Sequence, residues 1–175
     1  YIELDITRKN LLRNNLIEGF EYVVNLGGYI DHKLFKNGGG SVIEAHFNGL
    51  LNLIEFLPRE TLKRFIQIGS SDEYGNEKAP QHEDLRENPI SPYSLAKAAN
   101  THFLQMLHRT ENFTIVILRL FLVYGPFQDK KRFLPQIING CLNDKIFPAS
   151  EGHQLRDFCF VEDVVAAILS ALHRK

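Results

Sequence analysis

Short apolar runs at residues 22–26, 65–68, 114–120 and 157–160 are separated by stretches with helical patterning, and this alternation limits the fold more than any other feature of the chain. Runs of that kind, apolar on both sides of the strand, are buried between two layers rather than exposed on one face. The strand–helix–strand order predicts an α/β chain with a parallel sheet and helices on both faces. One helix is expected from Thr7, as N-cap, to about residue 18, with Leu11, Leu12, Leu16 and Ile17 on its apolar side. Ser41 and Glu44 have the spacing of a capping box for a second helix that ends near Pro58. Further helices are expected from Tyr93 to about Arg109, from Phe133 to Leu142 and from Val161 to Leu172, and residues 2–6 read as the end of a strand entered midway.

In an open parallel sheet, ligands bind in the crevice at the carboxyl ends of the strands. Three of the four internal strands end in unusually polar or glycine-rich sequence, at Asn25-Leu26-Gly27-Gly28, Gly69 to Gly75 and Val123 to Pro126. Just beyond the second of these, Ser91-Pro92-Tyr93-Ser94-Leu95-Ala96-Lys97 sets a phenol and an ammonium four residues apart at a helix start, hence on one helical face. An ammonium beside a phenol favours the phenolate, so a group that ordinarily ionises near ~10 becomes a usable acid/base at neutral pH.

Composition narrows the partners. A net charge of -1, from 20 basic and 21 acidic residues, gives no reason to expect nucleic acid or an anionic membrane. No apolar run reaches the ~18 residues of a membrane span, and no signal-peptide pattern opens the chain. Cys141 and Cys159 lie in apolar sequence without metal-ligand spacing, and read as reduced core residues of a cytoplasmic protein. The seven histidines are scattered, none at helical pair spacing, so no metal site is expected.

Asn25-Leu26-Gly27-Gly28, Gly69 to Gly75, Ser91 to Lys97, Leu120 to Pro126, and Gln154 to Phe158 followed by Val161 to Val164 occur in one order along the chain. Together they resemble the NAD-dependent epimerase/dehydratase family, the extended short-chain dehydrogenases/reductases that modify nucleotide sugars. The resemblance implies a partial Rossmann-type, doubly wound sheet over residues 1–125, the start of a small substrate-binding region over 126–157, and a strand and helix returning to the first domain over 158–175. It implies Tyr93 as the acid/base for a sugar hydroxyl, Lys97 as the group that holds the nicotinamide ribose and depresses the Tyr93 pKa, and Ser70 as their hydroxyl partner, also touching substrate. Asp5 and Ile6 would lie beside the adenine of NAD, and Leu26, Gly27 and Gly28 beneath the cofactor diphosphate and ribose. Arg156, and with it Arg132, would bind the diphosphate of the substrate. A homodimer through the helix that follows Tyr93 is implied as well.

Two departures stand out. Leu122 occupies the place of the family's Asn, and Leu cannot donate to phosphate. No glycine-rich dinucleotide fingerprint precedes a helix, since Gly38-Gly39-Gly40 comes too late and lacks the pattern. The expectation is a fragment without its N-terminal unit and much of its C-terminal part, inactive by itself. NAD and NADP both stay open, because the residues that choose between them lie in that N-terminal unit. The carboxylate of Asp72, two residues after Ser70, tilts the reading toward a 4,6-dehydratase, and a one-residue loop shift would offer Asp72-Glu73 as a pair. A 4-epimerase, which needs no carboxylate there, and a non-catalytic cofactor-binding sensor or scaffold on the same fold are the alternatives.

Overall fold

The computed structural model describes residues 1–173. Three parallel strands, β1 (Tyr22–Asn25), β2 (Arg64–Ser70) and β3 (Ile115–Leu120), form one sheet in that order. Val23 stands opposite Phe65, and Phe65 opposite Ile115, so the apolar runs share one register across the sheet. The chain breaks at Phe121 and continues as β4 (Leu122–Tyr124), which pairs in parallel with β5 (Phe158–Phe160) in a separate small sheet. The expected α/β architecture with parallel strands is present, as two sheets rather than one.

Between the strands run α1 (Lys9–Asn15), α2 (Gly40–Ile43), α3 (Gly49–Phe56), α4 (Pro92–Glu111), α5 (Phe133–Leu142) and α6 (Val161–His173). A turn of π-helix, Glu44–Asn48, joins α2 to α3 into one helical run. Leu50, Ile54 and Leu57 meet Leu104 and Leu107 over Phe65 and Phe113, and these side chains form the core. Phe65 and Ile66 are both fully buried, and because successive strand residues point to opposite faces, both faces of β2 are covered. Each such side chain contributes roughly 1.5–3 kcal/mol by leaving water. Among the described residues no helix is long and apolar enough to cross a membrane.

Several local expectations are corrected. Residues 2–6 form no strand, and Thr7 caps no helix: its hydroxyl and N–H both donate to Asp5 Oδ1, at 2.7 and 3.0 Å, which turns the chain before α1 begins. That helix stops at Asn15, so Leu16 and Ile17 fall beyond it and only Leu12 is buried. The capping box of Ser41 and Glu44 does not form because helical backbone already begins at Gly39, leaving Ser41 inside the helix. Its hydroxyl donates back to the Gly38 carbonyl, while Glu44 takes the Asn48 amide. Cys141 is exposed rather than core, since α5 buries only Gly140 among its residues, and Cys159 is half-buried.

Candidate active site

β2 ends at Ser70, and its termination places the first group of the site. Ser70 has extended backbone and caps the short 3-10 turn Ser71–Tyr74, accepting the Asp72 N–H on its hydroxyl at 3.2 Å. In return the Glu73 carboxylate accepts the Ser70 N–H at 2.8 Å. A second reciprocal cap starts α4: Ser91 and Ser94 each bond the other's backbone N–H, at 3.1 and 2.9 Å, and Pro92 stands at the first helical position. This fixed start aims Tyr93 and Lys97 inward, and both are buried, at 6 and 5 % exposure.

Ser70, Tyr93, Lys97 and Arg132 line one cavity of about 470 Å³ at the carboxyl ends of β2 and β3. Its remaining wall is largely apolar and includes Ile30, Leu122 and Phe158. The Ser70 side chain faces that of Tyr93 closely enough to lower its pKa. Lys97 Nζ donates to the Ile68 carbonyl at 2.8 Å and stands over the Tyr93 ring, 5.8 Å from its centroid.

The electrostatics differ from expectation. Burial raises the Tyr93 phenol above its ordinary value; the Ser70 side chain opposes the shift, the Asp72 and Glu73 carboxylates add to it, and Arg132 opposes it. Burial lowers Lys97, with Glu73 opposing. The phenol made acidic by Lys97 is therefore not what this arrangement produces: loss of water around the phenol raises it, and Lys97, itself desolvated and bonded to a carbonyl, is not among the groups that shift it.

The other expected residues divide. Asp72 is half-exposed and does not line the cavity, and the imidazole of His32 stands 3.7 Å from it. Leu26, Gly27 and Gly28 form an exposed strip past β1, and Ile6 packs beside it, its Cδ1 3.3 Å from where a Gly27 Cβ would stand. Asp5 is exposed and held below its usual range by the Thr7 hydrogen bonds and Arg8. Arg156 lies away from the cavity, exposed, and donates to Gln154 Oε1 at 3.3 Å. Among the described residues no cluster of side chains could hold a metal ion.

Glu73, offered by the sequence only as a pair for Asp72, has a different part at the site, and His46 escaped the sequence reading altogether. Glu73 is fully buried, accepting from Thr101 Oγ1 at 2.7 Å and Arg119 Nε at 2.9 Å besides Ser70, so it is no partner for Asp72 in proton transfer. His46, from the π-turn, meets the Tyr93 ring nearly perpendicularly with centroids 5.2 Å apart. The place of Glu73 inside the Gly69–Gly75 block hinted at its part; nothing in the sequence around His46 did.

The sequence model of the NAD dependent epimerase/dehydratase family matches residues 1–175. Among curated relatives, the dTDP-glucose 4,6-dehydratase of Haemophilus influenzae is 28% identical, over 94% of this chain and 53% of its own length. The UDP-glucuronate 4-epimerase of Thermodesulfobacterium geofontis is 27% identical, over 98% of this chain and 54% of its own. This chain thus spans about half the length of the relatives it matches. Among solved structures, the UDP-glucose 4-epimerase of Thermotoga maritima with UDP-glucose superposes at a TM-score of 0.87, with 26% identity over 98% of this chain and 58% of that one. The UDP-glucuronic acid 4-epimerase of Bacillus cereus, in complex with UDP-glucuronic acid and NAD, gives 0.78, with 29% identity over 98% and 53%. With a family match along its whole length and the serine, tyrosine and lysine drawn to one cavity, the chain belongs to the NAD-dependent epimerase/dehydratase family.

Proposed function

We propose that this chain carries the acid–base part of a site that transiently oxidises a nucleotide sugar at its 4-position, with Tyr93 exchanging the hydroxyl proton. The observation that carries the reading is the convergence of Ser70, Tyr93, Lys97 and Arg132 on one cavity at the carboxyl ends of parallel strands. The residues fit a dinucleotide: an exposed strip without side-chain bulk at Gly27 leads from β1 toward a cavity whose donors include the Lys97 ammonium. Leu26 to Gly28 would underlie its diphosphate and ribose, Asp5 and Ile6 its adenine, and Lys97 its second ribose. NAD, when bound, supplies the hydride acceptor.

Ser70, on the cavity wall with the phenol, would share the sugar hydroxyl with Tyr93 and hold it in line. The buried phenol is the acid form, suited to returning a proton to a 4-keto oxygen. Taking a proton requires the phenolate, and Arg132 is the cation that favours it. Arg132 and Arg156 would hold the diphosphate of the substrate, with residues 126–157 beginning the region that closes over it. Exposed Leu95 and Met106 on α4 support a homodimer through that helix.

For the step after oxidation, Asp72 supports 4,6-elimination, since its carboxylate is near enough to act on Tyr93. The engagement of Glu73 with Ser70, Thr101 and Arg119 favours 4-epimerisation as the second reading, because elimination uses an acid and a base and, of the Asp72-Glu73 pair, only Asp72 is free of the core. The test is the whole protein with nucleotide sugars, followed by nicotinamide absorbance and product mass. Loss of one water marks the dehydratase and an unchanged mass with inverted C4 the epimerase. Tyr93→Phe should abolish turnover, and unchanged turnover in that variant refutes the reading.

A further inference from the structure

We propose that His46 is a positioning residue for Tyr93, occupying as a neutral ring the space that Gly28 leaves open and holding the phenol in a dry, fixed orientation. The proposal rests on the reading of Tyr93 as the acid/base and adds a residue that the family resemblance did not assign.

The helical run places His46 unusually. It lies in the single π-turn between α2 and α3, where one extra residue per turn displaces side chains from the regular helical face. His46 is 4 % exposed. Its Nε2 lies 2.7 Å from the Tyr29 carbonyl and 3.2 Å from the Tyr29 N–H, so the ring is tied to the segment leaving β1. With the proton on Nε2 the carbonyl is satisfied, and Nδ1 is left buried with no hydrogen-bond partner among the described residues. A buried acceptor without a donor costs stability, and its retention calls for a reason outside the hydrogen bond.

The surroundings supply one. Gly28 has φ +115, and a Cβ there would collide with the His46 ring, so the glycine and the histidine are complementary. On its other side the ring stands at 86° to the Tyr93 ring, and the His32 ring approaches the same tyrosine at 78° and 5.4 Å. The phenol is thus bracketed by two imidazoles, the buried one fixed by backbone and the outer one beside Asp72. Packing of this kind removes water from the phenol and narrows its rotamers. A charged ring would not serve beside Lys97, and burial together with Lys97 keeps His46 neutral, against the Tyr29 hydrogen bond.

The groups that face Tyr93 are Ser70, Asp72 and Glu73 from the end of β2 and its turn, Lys97 from α4, Arg132 before α5, and the two histidines. Apart from His46 itself, none of these is substituted in a His46 variant, so a shift in Tyr93 titration reports the lost ring. The experiment uses the whole protein. Ultraviolet phenolate titration is recorded for wild type and for Tyr93→Phe, the difference isolating Tyr93, and then in the background of His46→Ala and of His46→Phe, beside kcat and KM. Expected for His46→Ala are a Tyr93 titration moved to lower pH, an alkaline limb of kcat that moves with it, and kcat reduced roughly tenfold to a hundredfold at little-changed KM. His46→Phe, which keeps a ring but no hydrogen bond, should restore most of both. Gly28→Ala, which pushes the ring aside, should move the Tyr93 titration to lower pH as the alanine variant does, read without cofactor because Gly28 would also underlie the cofactor, and decides the matter if His46→Ala does not fold. An unmoved Tyr93 titration in His46→Ala, or in Gly28→Ala, overturns the proposal, as does His46→Phe behaving like alanine. If Tyr93→Phe itself keeps turnover, the acid/base reading fails instead, and the two failures are separate.

Discussion

Glu73 accepts the backbone N–H of Ser70 at 2.8 Å from a carboxylate with no solvent exposure, and the same carboxylate binds Arg119 Nε at 2.9 Å. Arg119 in turn pairs with Glu87, and its guanidinium stacks over the Tyr74 ring. The hydroxyl next to Tyr93 therefore owes its place to a buried ionic network on the far side of the strand. Gly69 belongs to the same arrangement, because a Cβ there would stand 2.6 Å from Glu73 Oε1.

The network makes Glu73→Gln a structural lesion. The variant leaves the buried Arg119 with one carboxylate instead of two, and should lower unfolding stability by roughly 3 kcal/mol. Denaturant titration checks this. The folded enzyme should keep its turnover, with the alkaline limb moved to lower pH because the Glu73 charge raises the Tyr93 phenol, and full stability with abolished turnover would instead make Glu73 a proton donor.

Asp72→Asn separates the two reactions. In a dehydratase the variant should still oxidise the sugar and accumulate reduced nicotinamide while dehydrated product falls roughly a hundredfold. In an epimerase turnover should persist. Asp72 also raises the Tyr93 phenol, so the alkaline limb should move to lower pH in either case.

His46 gives the fold a pH dependence of known sign. Burial first, then Lys97, lowers its pKa below 6.5, against the Tyr29 hydrogen bond. The unfolded chain then binds a proton that the folded chain refuses as pH falls through 6.5. The stability is complete above that value and declines from there down to the folded pKa. Thermal melts across this window should show the decline in wild type and a shallower one in His46→Phe.

Much of this site was legible in local sequence, for physical reasons. Tyr93 and Lys97 share a helical face by spacing alone, and the Ser91-Pro92 start that aims them is a local cap. The Gly69 to Gly75 block pointed to the crevice because polar groups at a buried strand's end face it, while the family resemblance singled out Ser70 within the block. What stayed hidden depends on contacts between distant segments. The pKa direction of Tyr93 was missed because burial, set by tertiary packing, is its largest cause, and the neighbour four residues away is not among the groups that shift it. His46 reaches Tyr93 only through a π-turn and the missing Cβ of Gly28, and neither leaves a periodic trace. Ser41 and Glu44 failed as a cap because Gly39 was free to enter the helix first.

Lys97→Met tests whether the buried ammonium is there for stability or for chemistry. Burial lowers the Lys97 pKa, so at neutral pH the folded state bears a charge it would rather release, and the unfolded chain binds that proton more readily. Removing the charge relieves this penalty. The Ile68 carbonyl, which Lys97 bonds at 2.8 Å, keeps a donor in Gln67 Nε2 at 3.0 Å, so methionine of similar length leaves no orphaned acceptor. The midpoint of thermal unfolding should therefore rise or hold, while turnover falls roughly a hundredfold or more. Loss of stability together with retained turnover would assign Lys97 to the scaffold and leave Tyr93 and Ser70 to act without it.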